Sequence, residues 1–168
     1  TASVFSSDTL FNSELEQLAF AVHLCYCGAL DEPKDSAAYK KALNTYRMSA
    51  YSRRSSLAVA LHIPAKLRSC GIVTRGTFPA EDELGMLETA LSDETVFQTL
   101  VRNEHDRWSA FMRSEGYRTV DLETVKKYAP YTRSHKDDKA KLHPCIVGWE
   151  ELDALQEQYD ALQKKLNL

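Results

Sequence analysis

Two stretches of this chain repeat each other, and an internal repeat limits the fold more than any single motif does. The segment LEQLAFAVHLCY, residues 15–26, aligns with VFQTLVRNEHDRW, residues 96–108, when His23 is set on His105. Leu18 then falls on Leu100, Ala19 on Val101 and Tyr26 on Trp108. In each copy a His and an aromatic stand three apart, a spacing that puts both on one helical face. Each copy is followed by a loop and another long helical pattern, so the same order of elements occurs twice.

The helix signals support this order. Asn12 and Ser13 precede Glu14 and the apolar positions Leu15, Leu18, Ala19, Val22 and Tyr26. That pattern predicts a capped amphipathic helix ending near Gly28. The run DEPKD at 31–35 marks a turn, and a short helix is expected over 36–46. Residues 49–70 read as a second long helix with Leu57, Ala60, Leu61 and Leu67 as packing positions. Pro64 either kinks it or opens a new helix, and Gly71 is a natural stop. Gly76 and Pro79 mark a linker, followed by a short helix over 83–91. Ser92 is the expected cap of a third long helix, with Asp93 and Glu94 in its first turn, where carboxylates suit the helix dipole. Its apolar face carries Val96, Phe97, Leu100, Val101, Trp108, Phe111 and Met112, and it ends near Gly116. Residues 117–144 are polar and Lys-rich, and read as a long loop with one short helix. A loop of that length within a compact domain carries function more often than filler. Residues 149–166 read as the last helix. No alternating strand pattern stands out, and only 117–147 has room for a small hairpin.

The expected fold class is therefore mainly α: two helical repeats packed together, with a long loop or small hairpin in the second. Residues 1–12 form a lead, 13–73 the first repeat, 74–91 a linker with a short helix, and 92–168 the second repeat. At 168 residues the chain suits one domain, or two small ones sharing a core, with no need of metal or disulfide. A net charge of −3 argues against nucleic acid or a membrane surface as partner. No apolar run approaches the roughly 20 residues of a membrane-spanning helix. Cys25 and Cys27 lie too close along a helix to bridge, and nothing suggests a disulfide framework, so a reducing, cytoplasmic setting is expected. The start at Thr1 suggests a piece of a longer protein.

Few residues offer catalysis. His23 and Cys27 could share a metal, but no second pair has suitable spacing. There is no G-x-S-x-G, P-loop or G-x-G-x-x-G. No metal, cofactor or catalytic residue is expected. The His–aromatic pairs His23–Tyr26 and His105–Trp108 suit a planar ligand: the ring stacks while the imidazole meets a polar edge. Such a stack is worth roughly 1–3 kcal/mol. The bland reading is that Trp108 is core and His105 a satisfied interfacial residue. Arg53 and Arg54 suit a phosphate or carboxylate, or simply a solvated face. Glu104 and Arg107 flank the second pair, and Arg107 could reach an anion or pair with Glu104 or Asp106. The run TRSHKDDKAKLH, with His135, Lys136, Lys139, Lys141 and His143, is either a solvated loop or one lip of a cleft. Cys145 sits beside it.

In the second half, EHDRWSAFMRSEGYR is followed by KDDKAKLHPCIVGWEEL and then QYD. This ordered set resembles the ryanodine receptor repeat. The matching features are His105 with Trp108, Gly116 with Tyr117, the basic-Asp-Asp run 136–138, the His-Pro-Cys stretch 142–147, Trp149, and Tyr159 with Asp160. The first half keeps His23, has Tyr26 in the Trp position, and lacks the His-Pro-Cys loop. The resemblance spans about 15–168. It implies two repeats related by a pseudo-twofold axis, with a small-molecule site in the cleft between them. It also places Ser56 and Asp160 where the family usually has Asn, beside the ligand. An adenine or cyclic nucleotide, and an attached or partner regulatory domain, are the partners it implies. It points to a bacterial member of the family. The ligand set expected on these grounds is His23, Tyr26, Arg53, Ser56, Glu104, His105, Trp108, Cys145 and Asp160. The alternatives are a protein-interaction module without a small ligand and, more remotely, a nucleotide-processing enzyme.

Overall fold

The computed structural model describes residues 13–73, 80–121, 124, 136–152 and 154–155. The fold is mainly helical, with five helices whose bounds are described in full: α1 Glu14–Tyr26, α2 Ala37–Met48, α3 Ala50–Ser69, α4 Glu81–Leu91 and α5 Glu94–Ser114. Residues 149–152 are also helical. No described helix is long and apolar enough to cross a membrane. The chain divides into two compact units, Thr1–Phe97 and Gln98–Leu168, with the division inside α5.

Local chemistry sets the helix ends. Ser13, Ser36 and Ser49 each accept from a backbone N–H two or three residues into the helix they cap, satisfying donors that would otherwise be orphaned. Ala80 has no side chain to offer α4, so Glu83 reaches back and accepts from the Ala80 N–H at 2.8 Å. At α5 the expected cap is off by one residue. Asp93 Oδ1 accepts from Thr95 and Val96 at 2.8 and 3.2 Å, while Ser92 closes α4. Pro64 lies inside α3, which continues through it.

α1 and α5 end the same way. Gly28 and Gly116 take left-handed φ values of 65° and 86°, where a Cβ would be strained. The next residue then bonds back across the turn, Ala29 N to Leu24 O at 2.8 Å and Tyr117 N to Met112 O at 3.0 Å. Each of these motifs pins a buried apolar pair, Leu24 with Ala29 and Met112 with Tyr117.

In the first unit α1 packs most extensively on α3, and α2 lies against both. Leu18, Ala19, Tyr46 and Ala60 form the centre, with Leu15, Leu57 and Ile63 around it. Ala19 and Ala60, at 0% and 1% exposure, allow the helices to approach closely; an enlarged side chain at either would cost about 1–3 kcal/mol in overpacking. Three expected packing positions point outward instead: Tyr26 is 90% exposed, Leu61 59% and Phe97 42%.

The second unit has a smaller centre of Met112, Tyr117 and Ile146, with Trp108 and Phe111 against it. Among the described residues the segment from 136 onward is tied back by isolated bridges: Arg118 pairs with Leu142, and Asp137 pairs antiparallel with Leu142. Tyr117 donates to Asp138 Oδ1 at 2.5 Å, and Lys141 lies 4.4 Å from the Tyr117 ring centroid. These contacts hold Lys141 at φ 57°, a left-handed conformation that non-glycine residues seldom adopt.

Candidate functional site

Each unit holds a histidine on its first long helix, and the two are anchored alike. His23 Nε2 lies 3.1 Å from the Ala42 carbonyl, and His105 Nε2 lies 2.9 Å from the Val147 carbonyl. A carbonyl only accepts, so each Nε2 carries the proton and donates. One turn later a small polar side chain approaches the same nitrogen at 3.5 Å, Cys27 Sγ in one case and Ser109 Oγ in the other.

Their surroundings differ. His23 is 4% exposed, with the Tyr46 ring 5.3 Å away. Tyr26, its expected partner, is not beside it: it stands 90% exposed on the last turn of α1. The helix ends there, and among the described residues of the first unit no element covers that side. His105 is half-buried in a group of rings. Trp108 lies 6.0 Å from it and Trp149 5.8 Å, while His143 stands edge-on to Trp108 at 4.9 Å. His143 Nδ1 accepts from the Cys145 N–H at 3.1 Å, so its proton sits on Nε2. Burial, with Lys136 adding repulsion, lowers the His143 pKa to about 4, so this ring is neutral near pH 7. Burial also pushes the Cys145 thiol up, away from the thiolate a nucleophile needs.

The other expected ligand residues divide between the units. Glu104 is taken up by Arg107, which forks onto it at 2.9 and 2.8 Å. The Arg107 side chain is 9% exposed, and its Nη1 has no hydrogen-bond partner among the described residues. Ser56 is buried on α3. Asp160 lies outside the described residues. Arg53 is bound to Glu16, Nε to Oε1 at 2.6 Å, and this bond raises the guanidinium pKa.

That contact belongs to a cluster whose other members, Glu16 and Tyr46, lie outside the expected ligand set. Glu16 Oε1 also accepts from the Tyr46 hydroxyl at 2.8 Å. Burial, and then the bond to Glu16, push the Tyr46 phenol well above its ordinary value, so it remains a donor. Beside the cluster a concavity of about 530 Å³ opens among α1, α2 and α3. Phe20, Tyr39, Leu43 and Tyr46 give it apolar walls, and Arg47 and Arg53 give it charge. A signal for it existed: Glu16 falls on the buried stripe with Ala19 and His23, three and seven residues on, where a lone carboxylate calls for a partner.

Among the described residues no group of three His, Cys, Asp or Glu side chains could hold a metal ion. In comparisons with known proteins, no family model, no curated protein and no solved structure matches this chain.

Proposed function

We propose that this chain is a non-catalytic, ligand-binding module of the ryanodine receptor repeat type, which takes a nucleotide-like or other planar small molecule against His105 and Trp108. The observation that carries this reading is the half-buried ring group of the second unit. Trp108 and Trp149 flank an imidazole already fixed by the Val147 carbonyl, and His143 braces Trp108 edge-on. Rings held this way lose little entropy when a base stacks on them. The raised Cys145 thiol favours binding over covalent chemistry at this place.

The chain has two tryptophans, and both belong to this group. Intrinsic fluorescence therefore reports the site directly. Titration of the full chain with AMP, ADP, ATP and cyclic AMP is expected to quench or shift the emission saturably for at least one of them. The same ligand should raise the melting temperature. Trp108→Ala should weaken that ligand by about tenfold or more, in line with the loss of one base stack. Flat titrations across nucleotides and other planar compounds, with no thermal shift, would leave the protein-interaction alternative in place.

A further inference from the structure

The first unit contains a cavity that the ligand reading above does not use. Its walls, Phe20, Tyr39, Leu43 and Tyr46, come from α1 and α2. Phe20 meets Tyr39 edge-on at 87° and 6.0 Å, and meets Tyr46 at 57° and 5.2 Å. The rings are thus braced against each other, and a flat guest would find faces and edges already oriented. At about 530 Å³ the cavity falls in the range of small-molecule sites.

The charges of the cavity select a sign. Glu16 is a buried carboxylate that would repel an anion, but Arg53 neutralises it at 2.6 Å and Tyr46 donates to the same oxygen. Arg47, on the last turn of α2, makes no ion pair among the described residues and is exposed at the rim. With Glu16 and Arg53 cancelling, Arg47 leaves the cavity one net positive charge. A guanidinium there suits a carboxylate, which it can engage through two parallel N–H donors. A dianionic phosphate would be only half balanced.

We infer that the cavity among α1, α2 and α3 is a second binding site, for a small flat aromatic monoanion of the arenecarboxylate class. The ring lies among Phe20, Tyr39 and Tyr46, and the carboxylate meets Arg47. This site stands independently of the ring group in the second unit.

The probes are 2-naphthoate and its neutral amide, 2-naphthamide, titrated into the full chain by calorimetry. The carboxylate is expected to bind with one-to-one stoichiometry, about threefold to tenfold more tightly than the amide, the range for one charge-assisted contact near solvent. Arg47→Ala, a change at an exposed residue that leaves the fold intact, should abolish that preference without affecting amide binding. Leu43→Trp, which fills the cavity, should abolish both. Trp108→Ala should change neither, which separates this site from the nucleotide reading. Equal affinities for the two probes, binding unaffected by Leu43→Trp, no heat at all, or loss of binding in Trp108→Ala would each overturn the inference.

Discussion

Around His23 the cover is a helix; around His105 it is an irregular segment. Both imidazoles give their Nε2 proton to a backbone carbonyl, Ala42 on α2 in one unit and Val147 after the His-Pro-Cys stretch in the other. α1 ends at Tyr26 and turns at Gly28, so the chain comes back at once as α2 and seals His23 to 4% exposure. α5 runs on to Ser114 before Gly116 turns it, and residues 136–148, which return over His105, form only turns and isolated bridges. A helix presents a close-packed row of side chains, whereas an irregular cover leaves rings half-exposed. A histidine in the same helical setting is thus sealed in one unit and left half-buried in the other, according to what covers it. In the first unit the open space has moved off the histidine, to the cavity beside Glu16, Tyr46 and Arg53.

The two units differ most in their tyrosine–carboxylate pairs. Tyr46 donates to Glu16, whose side chain is 10% exposed and also holds Arg53 across 37 positions of sequence. Tyr117 donates to Asp138, whose side chain is 62% exposed. Glu16→Ala is expected to cost about 2–4 kcal/mol, because it strands a buried phenol and a partly buried guanidinium. Asp138→Ala should cost less than about 1 kcal/mol, since water replaces the lost acceptor. Urea unfolding of the two variants measures both. Equal losses would mean that the two units are sheltered alike.

A smaller effect separates the units by pH. His143 titrates near 4 in the folded chain, against an ordinary value of 6.5. Between those values the unfolded chain binds the proton and the folded chain does not, so stability falls as pH drops from about 6.5 toward 4. Lys136 opposes a charge on His143 and Asp138 favours one, with burial the largest influence. Because the ring is only partly buried, the second unit should lose roughly 1–2 kcal/mol across that window after allowance for solvent screening. Melting curves at pH 7 and pH 4.5 should show the loss, and His143→Asn should reduce it. A loss undiminished in His143→Asn would assign it to other groups.

Much of the fold was legible because helix ends are local chemistry. Ser13, Ser36, Ser49, Gly28 and Gly116 act within a turn of themselves, so a few letters suffice to place them. The one displaced cap, Ser92 for Asp93, came from two adjacent residues that can both cap. The site was less legible, because its contacts are long-range. Nothing in LEQLAFAVHLCY says that Glu16 meets Arg53 rather than water. The 117–148 segment has no period to read, so its use of Lys141 and Leu142 to bridge Arg118 and Asp137 could not be placed in advance. Trp149 and the His-Pro-Cys stretch stand among the features that resemble the repeat, but the expected ligand set took in His105, Trp108 and Cys145 and left out Trp149 and His143, whose ring contacts are set by the long-range return of the chain.

The smallest expected effect tests the repeat itself. Aligning His23 with His105 sets Tyr26 on Trp108, and a strict repeat would give the two aromatics one task. Tyr26, however, occupies the final turn of a 13-residue helix, while Trp108 lies within a 21-residue one. At 90% exposure Tyr26 has little packing to lose, so Tyr26→Ala should alter stability by no more than about 0.5 kcal/mol. Trp108 touches the Met112, Tyr117 and Ile146 core, and its truncation should cost about 2–4 kcal/mol at the low end of buried aromatic losses. The informative case is ligand binding. If Tyr26→Ala weakens a nucleotide that Trp108→Ala also weakens, the outward tyrosine shares a ligand with the tryptophan and the repeat holds in function as well as in sequence. If only Trp108→Ala has an effect, the first unit keeps the histidine as a core residue and the aromatic three positions later has no remaining role.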